Sequence, residues 1–456
     1  MNLSVRRHRI VMTALALAVL AFLPLRLYAT NAVVTPPSTT ACQSGMATFN
    51  SISAAVAGVV AGSTIYICPG TYAEQVVIKE RLTLIGVSGN GQTGSSATGQ
   101  NNPVVVSPAN GVVINSADLF NGQPTAAQIL VQTPSGSLAT PILVSISNIT
   151  VDGSNNQLSG CGTDLVGIYY QNASGTVNHV VARFQELDAA DFGCQDGQAI
   201  YVESGYGSGG KAVVTVENSS VHDYDKNGIT LDGSGTTGTI SSNYVVGIGA
   251  TPAIAQNGIQ VSDGANVKVY GNTVTDDVYV NPPDCGNACF SATGILLYDS
   301  GGTSAKPMTV SSNIVSNAQG GIVSVGDSSG TADYNTVSSN RITTSPAAGP
   351  FQLDGIDLCS NHNTANLNTV FNSSGSGVHI DSQCTESTGP SGNSTTVSTN
   401  TINEACAGVL TGNGTGNTES GNITYNVVQV TATGDSCPVG SPSKARARLK
   451  PRPWRP

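Results

Sequence analysis

The tetrapeptide Gly228-Ile229-Thr230-Leu231 is a motif to which the chain keeps returning. Four close copies follow it: Gly258-Ile259-Gln260-Val261, Gly294-Ile295-Leu296-Leu297, Gly355-Ile356-Asp357-Leu358 and Gly377-Val378-His379-Ile380. Weaker copies begin at Gly167, Ala199, Gly321 and Gly408, so nine copies recur at intervals of 22 to 36 residues. A second row of short apolar segments is led by Asn243, Asn272, Asn313, Asn340, Asn368 and Asn400. Two strand signals per period, without a helical pattern between them, predict a solenoid of stacked strands.

The alternation of side chains along a strand assigns the two faces of this repeat. Ile229 and Leu231, with their equivalents, are expected to point inward, each contributing about 1.5–3 kcal/mol on burial. The glycine that leads each copy is expected at a sharp corner with unusual backbone angles. The Asn row is expected where the chain turns, with side-chain amides hydrogen-bonded from coil to coil.

The first 32 residues resemble a secretory signal peptide. A basic start precedes the apolar run 10–25, and Ala29 and Ala32 follow as cleavage points. The run is shorter than the roughly 20 residues that a membrane span needs, although an uncleaved anchor is the alternative. We therefore expect a secreted, extracellular or cell-envelope protein without a membrane span in the mature chain.

The rest of the chain divides into three parts. Residues 33–47 are predicted to be a linker, 48–440 one elongated β-helix domain, and 441–456 a basic, Pro-rich disordered tail. The apolar spacing of 51–60 predicts a short helix that caps the open first coil, as solenoid ends require.

Charge excludes one class of partner. The 28 acidic residues all lie between Val33 and Gly440, where only 8 of the 18 basic residues lie, so this part carries a formal charge of −20. Such a surface repels nucleic acid and favours neutral glycans, or anionic glycans bridged by a cation.

Ten cysteines in a chain expected to be exported favour disulfides. Cys161 and Cys194 hold the same loop position in adjacent coils, which predicts that they pair. The remaining expected bridges are Cys42–Cys68 at the N-terminal end, Cys285–Cys289 in a small loop, Cys359–Cys384 between coils and Cys406–Cys437 in the last coil. The spacing lacks the tight Cys-x-x-Cys pairs of a metal site.

The opening of the domain resembles a known superfamily. A helix, a strand, Pro69-Gly70-Thr71-Tyr72, Glu74, a Val/Ile strand and Leu82-Thr83-Leu84-Ile85-Gly86 are similar to the start of pectin-lyase-like proteins. The resemblance covers roughly 48–89, and the repeats extend it to about residue 430. It implies an all-β fold, a single right-handed parallel β-helix, and it specifies activity hardly at all.

The catalytic sets of that superfamily are incomplete here. Asp276-Asp277 matches one polygalacturonase motif, but Gly-His-Gly is absent and Arg341-Ile342 is followed by Thr343. Arg452-Pro453-Trp454 matches a pectinesterase motif only within the tail. Pectate lyases need calcium-binding Asp residues and a basic residue, for which Arg183, Lys226, Lys268 and Arg341 are candidates off the main strand row.

The outward positions of the repeated strand supply the candidate site. Asp357 and His379 are predicted neighbours on adjacent coils, with Asp381 on the same face and Asp354 just before the strand. A histidine beside carboxylates suits general acid–base catalysis. The alternative is an exposed polar pair that only solvates the sheet.

Earlier outward positions are candidates for substrate and metal binding. Tyr169 and Tyr201 are predicted to stack as a platform for a sugar ring, with Thr230 and Gln260 next in the row; ordinary surface aromatics are the alternative. Acidic residues follow the strand in several copies, and Asp232 and Asp263 are the candidate ligands of a calcium ion, Ca2+. The alternative is that these residues only form turns, in which Asp is common.

Together these features predict a monomeric protein that binds or cleaves polysaccharide, as a lyase or glycoside hydrolase if it is catalytic. The alternative is a non-catalytic surface or adhesion protein whose acidic rod is its function.

Overall fold

The computed structural model describes residues 29–88, 102–282, 290–326, 331–351, 353–373, 375–383 and 391–437. One helix of this part, α1, spans Ile52–Gly58, and short 3-10 helices span Ser135–Ser137 and Pro346–Phe351. The strands are, in chain order, β1 (Ala29–Val34), β2 (Ala47–Phe49), β3 (Val59–Ile67), β4 (Thr71–Ala73), β5 (Val76–Ile78), β6 (Leu82–Gly86), β7 (Val104–Val106), β8 (Ser116–Ala117), β9 (Pro124–Gln132), β10 (Leu143–Ser147), β11 (Thr150–Asp152), β12 (Asp164–Gln171), β13 (Ser174–Asn178), β14 (Val181–Gln185), β15 (Gln198–Glu203), β16 (Ala212–Glu217), β17 (Ser220–Tyr224), β18 (Asn227–Asp232), β19 (Thr236–Ser241), β20 (Tyr244–Thr251), β21 (Asn257–Ser262), β22 (Asn266–Tyr270), β23 (Thr273–Tyr279), β24 (Thr293–Tyr298), β25 (Met308–Ser311), β26 (Ile314–Ala318), β27 (Gly320–Val325), β28 (Asn335–Ser338), β29 (Arg341–Thr344), β30 (Ile356–Cys359), β31 (Thr364–Asn366), β32 (Thr369–Ser373), β33 (Val378–Ile380), β34 (Thr396–Ser398), β35 (Thr401–Ala405), β36 (Ala407–Thr411), β37 (Thr418–Ser420), β38 (Ile423–Tyr425) and β39 (Gln429–Thr433).

These strands form three long parallel sheets, and a typical coil gives one strand to each. The first sheet has the order β2-β1-β3-β6-β10 and then every third strand to β37. The second begins β4-β7-β11-β14 and continues by threes to β38, and the third begins β5-β9-β12-β15 and continues by threes to β39. The strand β8 pairs with β9 in the antiparallel direction. The chain is therefore a right-handed parallel β-helix, as the repeats and the opening segment predict.

The core lies inside the coils, where the aliphatic residues of the repeat stack. In the third sheet one inward row, Ile168, Ile200, Ile229, Ile259, Ile295, Ile322, Ile356, Val378 and Val409, is paired residue to residue in register. All of these side chains are buried. The inward positions predicted from the alternation are therefore confirmed.

The glycine that leads each repeat is required for a different reason from the one predicted. None of Gly258, Gly355 and Gly377 has a positive φ. A Cβ on Gly355 would instead lie 2.4 Å from Cγ1 of Val370, and a Cβ on Gly377 would lie 2.4 Å from Cγ2 of Ile402. The branched side chains of the second sheet fill this space, so close packing, rather than backbone angle, excludes a side chain here.

The Asn row forms the predicted ladder. Nδ2 of Asn313 donates to Oδ1 of Asn340 at 3.0 Å, and Nδ2 of Asn340 donates to Oδ1 of Asn368 at 3.0 Å. The same bond links Asn243, Asn272 and Asn313 earlier in the chain and continues through Asn368, Asn400 and Asn422. Each amide also bonds a backbone carbonyl, such as Val310 O from Asn340 at 3.0 Å. The ladder therefore satisfies polar groups that the corner would otherwise bury unpaired.

The N-terminal end departs from the predicted linker 33–47. Val33 and Val34 belong to β1, which pairs with β2 and β3 in the first sheet, and both residues are buried. Ala47 begins β2, so the segment between is a connection inside the β-helix. The helix α1 packs Ile52 into the same core. The apolar residues 32–34 form a buried strand because they fill the core of the first coil, although the Pro-rich sequence that follows them is typical of a linker.

Three predicted disulfides are confirmed: Cys42–Cys68, Cys161–Cys194 and Cys406–Cys437. Cys359 is also disulfide-bonded. Its predicted partner Cys384 lies outside the described residues, as do Cys285 and Cys289, residues 1–28 of the predicted signal peptide and the predicted tail from 441. Within the described ranges, no helix combines the length and apolar character that crossing a bilayer requires.

Candidate functional site

The outer face of the third sheet carries the predicted row in the predicted order. Tyr169 pairs with Tyr201, Tyr201 with Thr230, and Thr230 with Gln260. Farther along, Asp357 pairs with His379. This face is covered rather than open, however: Tyr169 is 0% and Gln260 only 4% exposed.

The two tyrosines are covered by the segment before β9. Their rings are stacked with centroids 5.0 Å apart. The backbone N–H of Leu119 donates to Oε1 of Glu203 at 2.8 Å, and Tyr169 Oη donates to Oε2 of the same carboxylate at 2.5 Å. Tyr201 Oη donates to Asp118 Oδ2 at 2.9 Å. The stack is therefore confirmed, but it lies within a buried polar network and does not offer an open platform to a sugar ring.

A small depression of about 40 Å³ lies beside this covered stack. It brings together Tyr201, Thr230, Gln260 and Asp232, which the sequence selected, with residues that it did not select as site residues. Those additional lining residues are Asp118, Phe120, Asn121, Gln123, Asp164, Gln195, Asp196, Gln198, Lys226, Asn227 and Ser262. Four consecutive coils, those of β12, β15, β18 and β21, therefore contribute residues to this depression.

Two carboxyl groups of the depression have environments that favour the protonated form. Asp164 accepts bonds from the Gly197 N–H and from Gln198 Nε2, each at 3.0 Å, yet burial raises its pKa to about 7. Burial likewise raises the pKa of Asp196 to about 6, although Gln123 Nε2 donates to it at 2.5 Å. Both groups can therefore exchange a proton near neutral pH.

Lys226 is a lining residue that sequence reasoning named only as one of four basic candidates off the main strand row. It immediately precedes β18, and its side chain is buried. Its Nζ donates to Ala255 O at 3.2 Å, and it forms no ion pair within the described residues. Burial lowers its pKa to about 8. Its position two residues before Gly228 of the repeat was the available signal, but turn residues show no strand alternation that would indicate the direction of their side chains.

Three polar atoms that line the depression are buried without a hydrogen-bond partner. They are Thr230 Oγ1, Gln198 Oε1 and Asp196 Oδ2. Buried polar groups in folded proteins almost always have partners. Because the three residues line the same small depression, water or a hydroxyl-bearing ligand there is the partner that such atoms call for.

The predicted metal pair has a different character. Asp232 accepts hydrogen bonds from Tyr206 Oη at 2.6 Å and from Ser262 Oγ at 2.5 Å. Burial raises the pKa of Asp232, and burial together with the charge of Asp232 raises that of Asp263. Calcium binds ionised carboxylates, so the site stays a prediction that this geometry does not favour.

The predicted catalytic set comes together near the C-terminal end of the β-helix. His379 Nδ1 lies 3.2 Å from Asp354 Oδ2 and 3.8 Å from Asp381 Oδ2. Asp435, which the sequence did not select, lies 3.7 Å from Nε2. Burial alone would lower the pKa of His379, but the charges of Asp381 and Asp354 outweigh it and raise the pKa well above its ordinary value. With His379 only 2% exposed, a glycan does not reach the ring directly. The catalytic role of Asp354, Asp357, His379 and Asp381 stays a prediction.

No protein-family model matches the sequence, and no curated protein matches it. Solved structures do match. The mannuronan C-5 epimerase AlgE4 A-module of Azotobacter vinelandii is 12% identical, with a TM-score of 0.51 over 82% of this chain and 91% of that chain. The GH136 lacto-N-biosidase of Eubacterium ramulus is 12% identical, with a TM-score of 0.51 over 88% of this chain and 68% of that chain. At this identity the likeness concerns the fold, and it agrees with the three parallel sheets in identifying the chain as a right-handed parallel β-helix.

Proposed function

We propose that this protein is a secreted, carbohydrate-active β-helix protein whose reaction centre is the depression around Lys226. The observation that carries the proposal is that the lining residues of the depression include a buried lysine without an ion pair within the described residues, two carboxyl groups with raised pKa values and three residues with an unpartnered polar atom. Strongly perturbed titratable groups gathered in one cleft are a mark of functional sites.

The chemistry proposed is acid–base catalysis on a polysaccharide. Near neutral pH a fraction of Lys226 is neutral and can accept a proton, while Asp164 retains a fraction of its proton and can donate one. These roles suit the lyase and glycoside-hydrolase classes that the sequence indicated. The two similar structures are named for an epimerase and a biosidase, and each name refers to a carbohydrate.

The disulfides support the part of the proposal that concerns export. The described residues contain three intact disulfides, and such bonds persist in oxidising compartments. Polysaccharide outside the cell, acted on by a monomer, is therefore the proposed partner.

A second function is favoured by one observation. A depression of about 40 Å³ is small for a sugar ring. If the covering segment 112–123 stays closed, the chain is a non-catalytic surface or adhesion protein, and its acidic exterior is what partners meet.

A polysaccharide panel separates the two functions. Neutral and uronate polymers are incubated with the full mature chain and assayed for retention, for new reducing ends and for the ultraviolet absorbance of unsaturated sugars. Lys226→Met and Asp164→Asn should each lower product formation by about 100-fold or more if both act in proton transfer. Lys268→Met is the matched control, because Lys268 is exposed on β22. Retention without products in the wild type would establish a binding protein instead.

A further inference from the structure

Three ligand-bearing side chains from separate parts of the chain meet near the C-terminal end. His379 lies in β33, Asp381 directly follows that strand, and Asp435 follows β39. One ligand atom from each residue lies within 4.8 Å of the others. Nε2 of His379 is 3.7 Å from Oδ1 of Asp435. The two aspartates are partly buried, so this group lies close to the surface while the imidazole lies below it.

The imidazole is oriented from behind by a fourth residue. Nδ1 of His379 lies 3.2 Å from Oδ2 of Asp354. That carboxylate is itself held by Ser376, whose backbone N–H and Oγ donate to Oδ1 at 2.5 and 2.8 Å. A carboxylate on one ring nitrogen fixes the orientation of the ring and turns the other nitrogen away from that carboxylate, as is usual behind metal-binding histidines.

The other ring nitrogen has no hydrogen bond. Nε2 of His379 is buried and without a hydrogen-bond partner, and its nearest carboxylate oxygen, on Asp435, is too distant for one. Two ligands about 2.1 Å from a zinc ion at a tetrahedral angle lie roughly 3.4 Å apart. The separation of 3.7 Å therefore suits two ligands of one ion better than a direct contact.

We propose that His379, Asp381 and Asp435 bind one divalent transition-metal ion, with Zn2+ as the reference ion. An imidazole with two carboxylates is a donor set for such ions, whereas Ca2+ prefers oxygen ligands alone. The ion joins the coil of β33 to the segment that follows β39. There it supplements the Cys406–Cys437 disulfide in fastening the last coil that the structure describes.

The test uses the full mature chain without an affinity tag, stripped with a chelator and titrated with zinc chloride by calorimetry. We expect one equivalent of Zn2+ to bind and to raise the melting temperature, while calcium chloride does neither. Asp435→Asn should weaken zinc binding at least 10-fold and abolish the thermal shift. Its amide oxygen can still accept from the Ser382 N–H, which donates to Asp435 Oδ1 at 3.0 Å, so the fold should persist.

Matched variants exclude a structural explanation. His379→Gln and Asp381→Asn should each weaken zinc binding as well. The Asp381 variant keeps the test valid if the His379 variant fails to fold. His222→Gln is the control, because His222 forms a partly exposed pair with the single carboxylate of Asp223 and should leave the zinc titration unchanged. Absence of a bound equivalent in the wild type, or equal affinity in wild type and Asp435→Asn, would mean that the group is only a buried ion-pair cluster and would overturn the proposal.

Discussion

Lys226 donates to the carbonyl oxygen of Ala255 at 3.2 Å, and this is the bond that the structure gives to its buried ammonium group. Burial disfavours the charge and lowers the pKa from 10.5 to about 8. Between these values the unfolded chain binds more protons than the folded chain, so stability contributed through this group rises with pH. We expect Lys226→Met to be more stable than the wild type by about 2 kcal/mol at pH 7.

Urea unfolding at several pH values checks this prediction. The advantage of Lys226→Met should shrink as the pH approaches 10.5, where the lysine is neutral in both states. Lys268→Met, at an exposed position, should show no such trend. A constant difference across the pH range would contradict the lowered pKa.

Asp164 should give the opposite pH dependence. Burial raises its pKa from 3.8 to about 7, so between these values the folded chain binds more protons and stability falls as pH rises. Asp164→Asn mimics the protonated group, and we expect it to be stabilising by about 2 kcal/mol at pH 8 and nearly neutral at pH 4. The same unfolding series measures this, and a variant that is destabilised equally at both values would refute it.

Gly355→Ala tests the packing role of the leading glycines. The new methyl group would overlap Val370, and we expect a loss of about 1–3 kcal/mol of unfolding free energy. Val370→Ala removes that side chain's γ-carbons, so the double variant should lose about 1 kcal/mol less than the sum of the single losses. Gly136→Ala is the control, because no atom lies within 4 Å of its added Cβ. Simple additivity would contradict close packing as the reason for glycine.

Asn340→Ala tests the ladder from its middle. The substitution removes the side-chain bonds from Asn340 to Asn368 and to the Val310 carbonyl, and it takes away the oxygen that accepts from the backbone N–H and Nδ2 of Asn313, although that Nδ2 keeps its bond to Val269 O. We expect a loss of about 3 kcal/mol or more. Asn422→Ala, at the half-buried end of the ladder, should lose only about 1 kcal/mol. Denaturant unfolding compares the two, and equal losses would mean that the bonds contribute little.

The first strand sharpens the expected processing site. Asn31 Oδ1 accepts from the Thr64 N–H at 2.9 Å, and Ala32 pairs with Ile65. Cleavage after Ala32 would remove both contacts, whereas cleavage after Ala29 keeps them. We therefore expect the secreted chain to begin at Thr30, as mass spectrometry of the intact protein would reveal. A start at Met1 would contradict export with cleavage.

The repeat made the order of the outward residues on the third sheet predictable. The burial and contacts of each of these side chains could not be predicted, because they depend on loops that lack the repeat. Asp357 and His379 could be placed side by side because period and alternation fix register. Their depth could not be predicted, since Asp435 approaches from a segment beyond the last clear repeat. Likewise Glu203 is satisfied by Leu119, which lies 84 residues earlier in a segment without periodicity. Patterns therefore specify the coils, and contacts between distant loops specify the site.

The Asn ladder has a consequence for how such a chain can diverge. Successive members of the ladder are separated by 22 to 41 residues, yet every side-chain link between them measures 2.9–3.0 Å. One corner of each coil is therefore held at constant spacing whatever length of chain intervenes. Insertions and deletions at the other corners leave the stacking undisturbed, so the segments that cover the third sheet are free to lengthen, shorten or change chemistry while the framework beneath them stays the same.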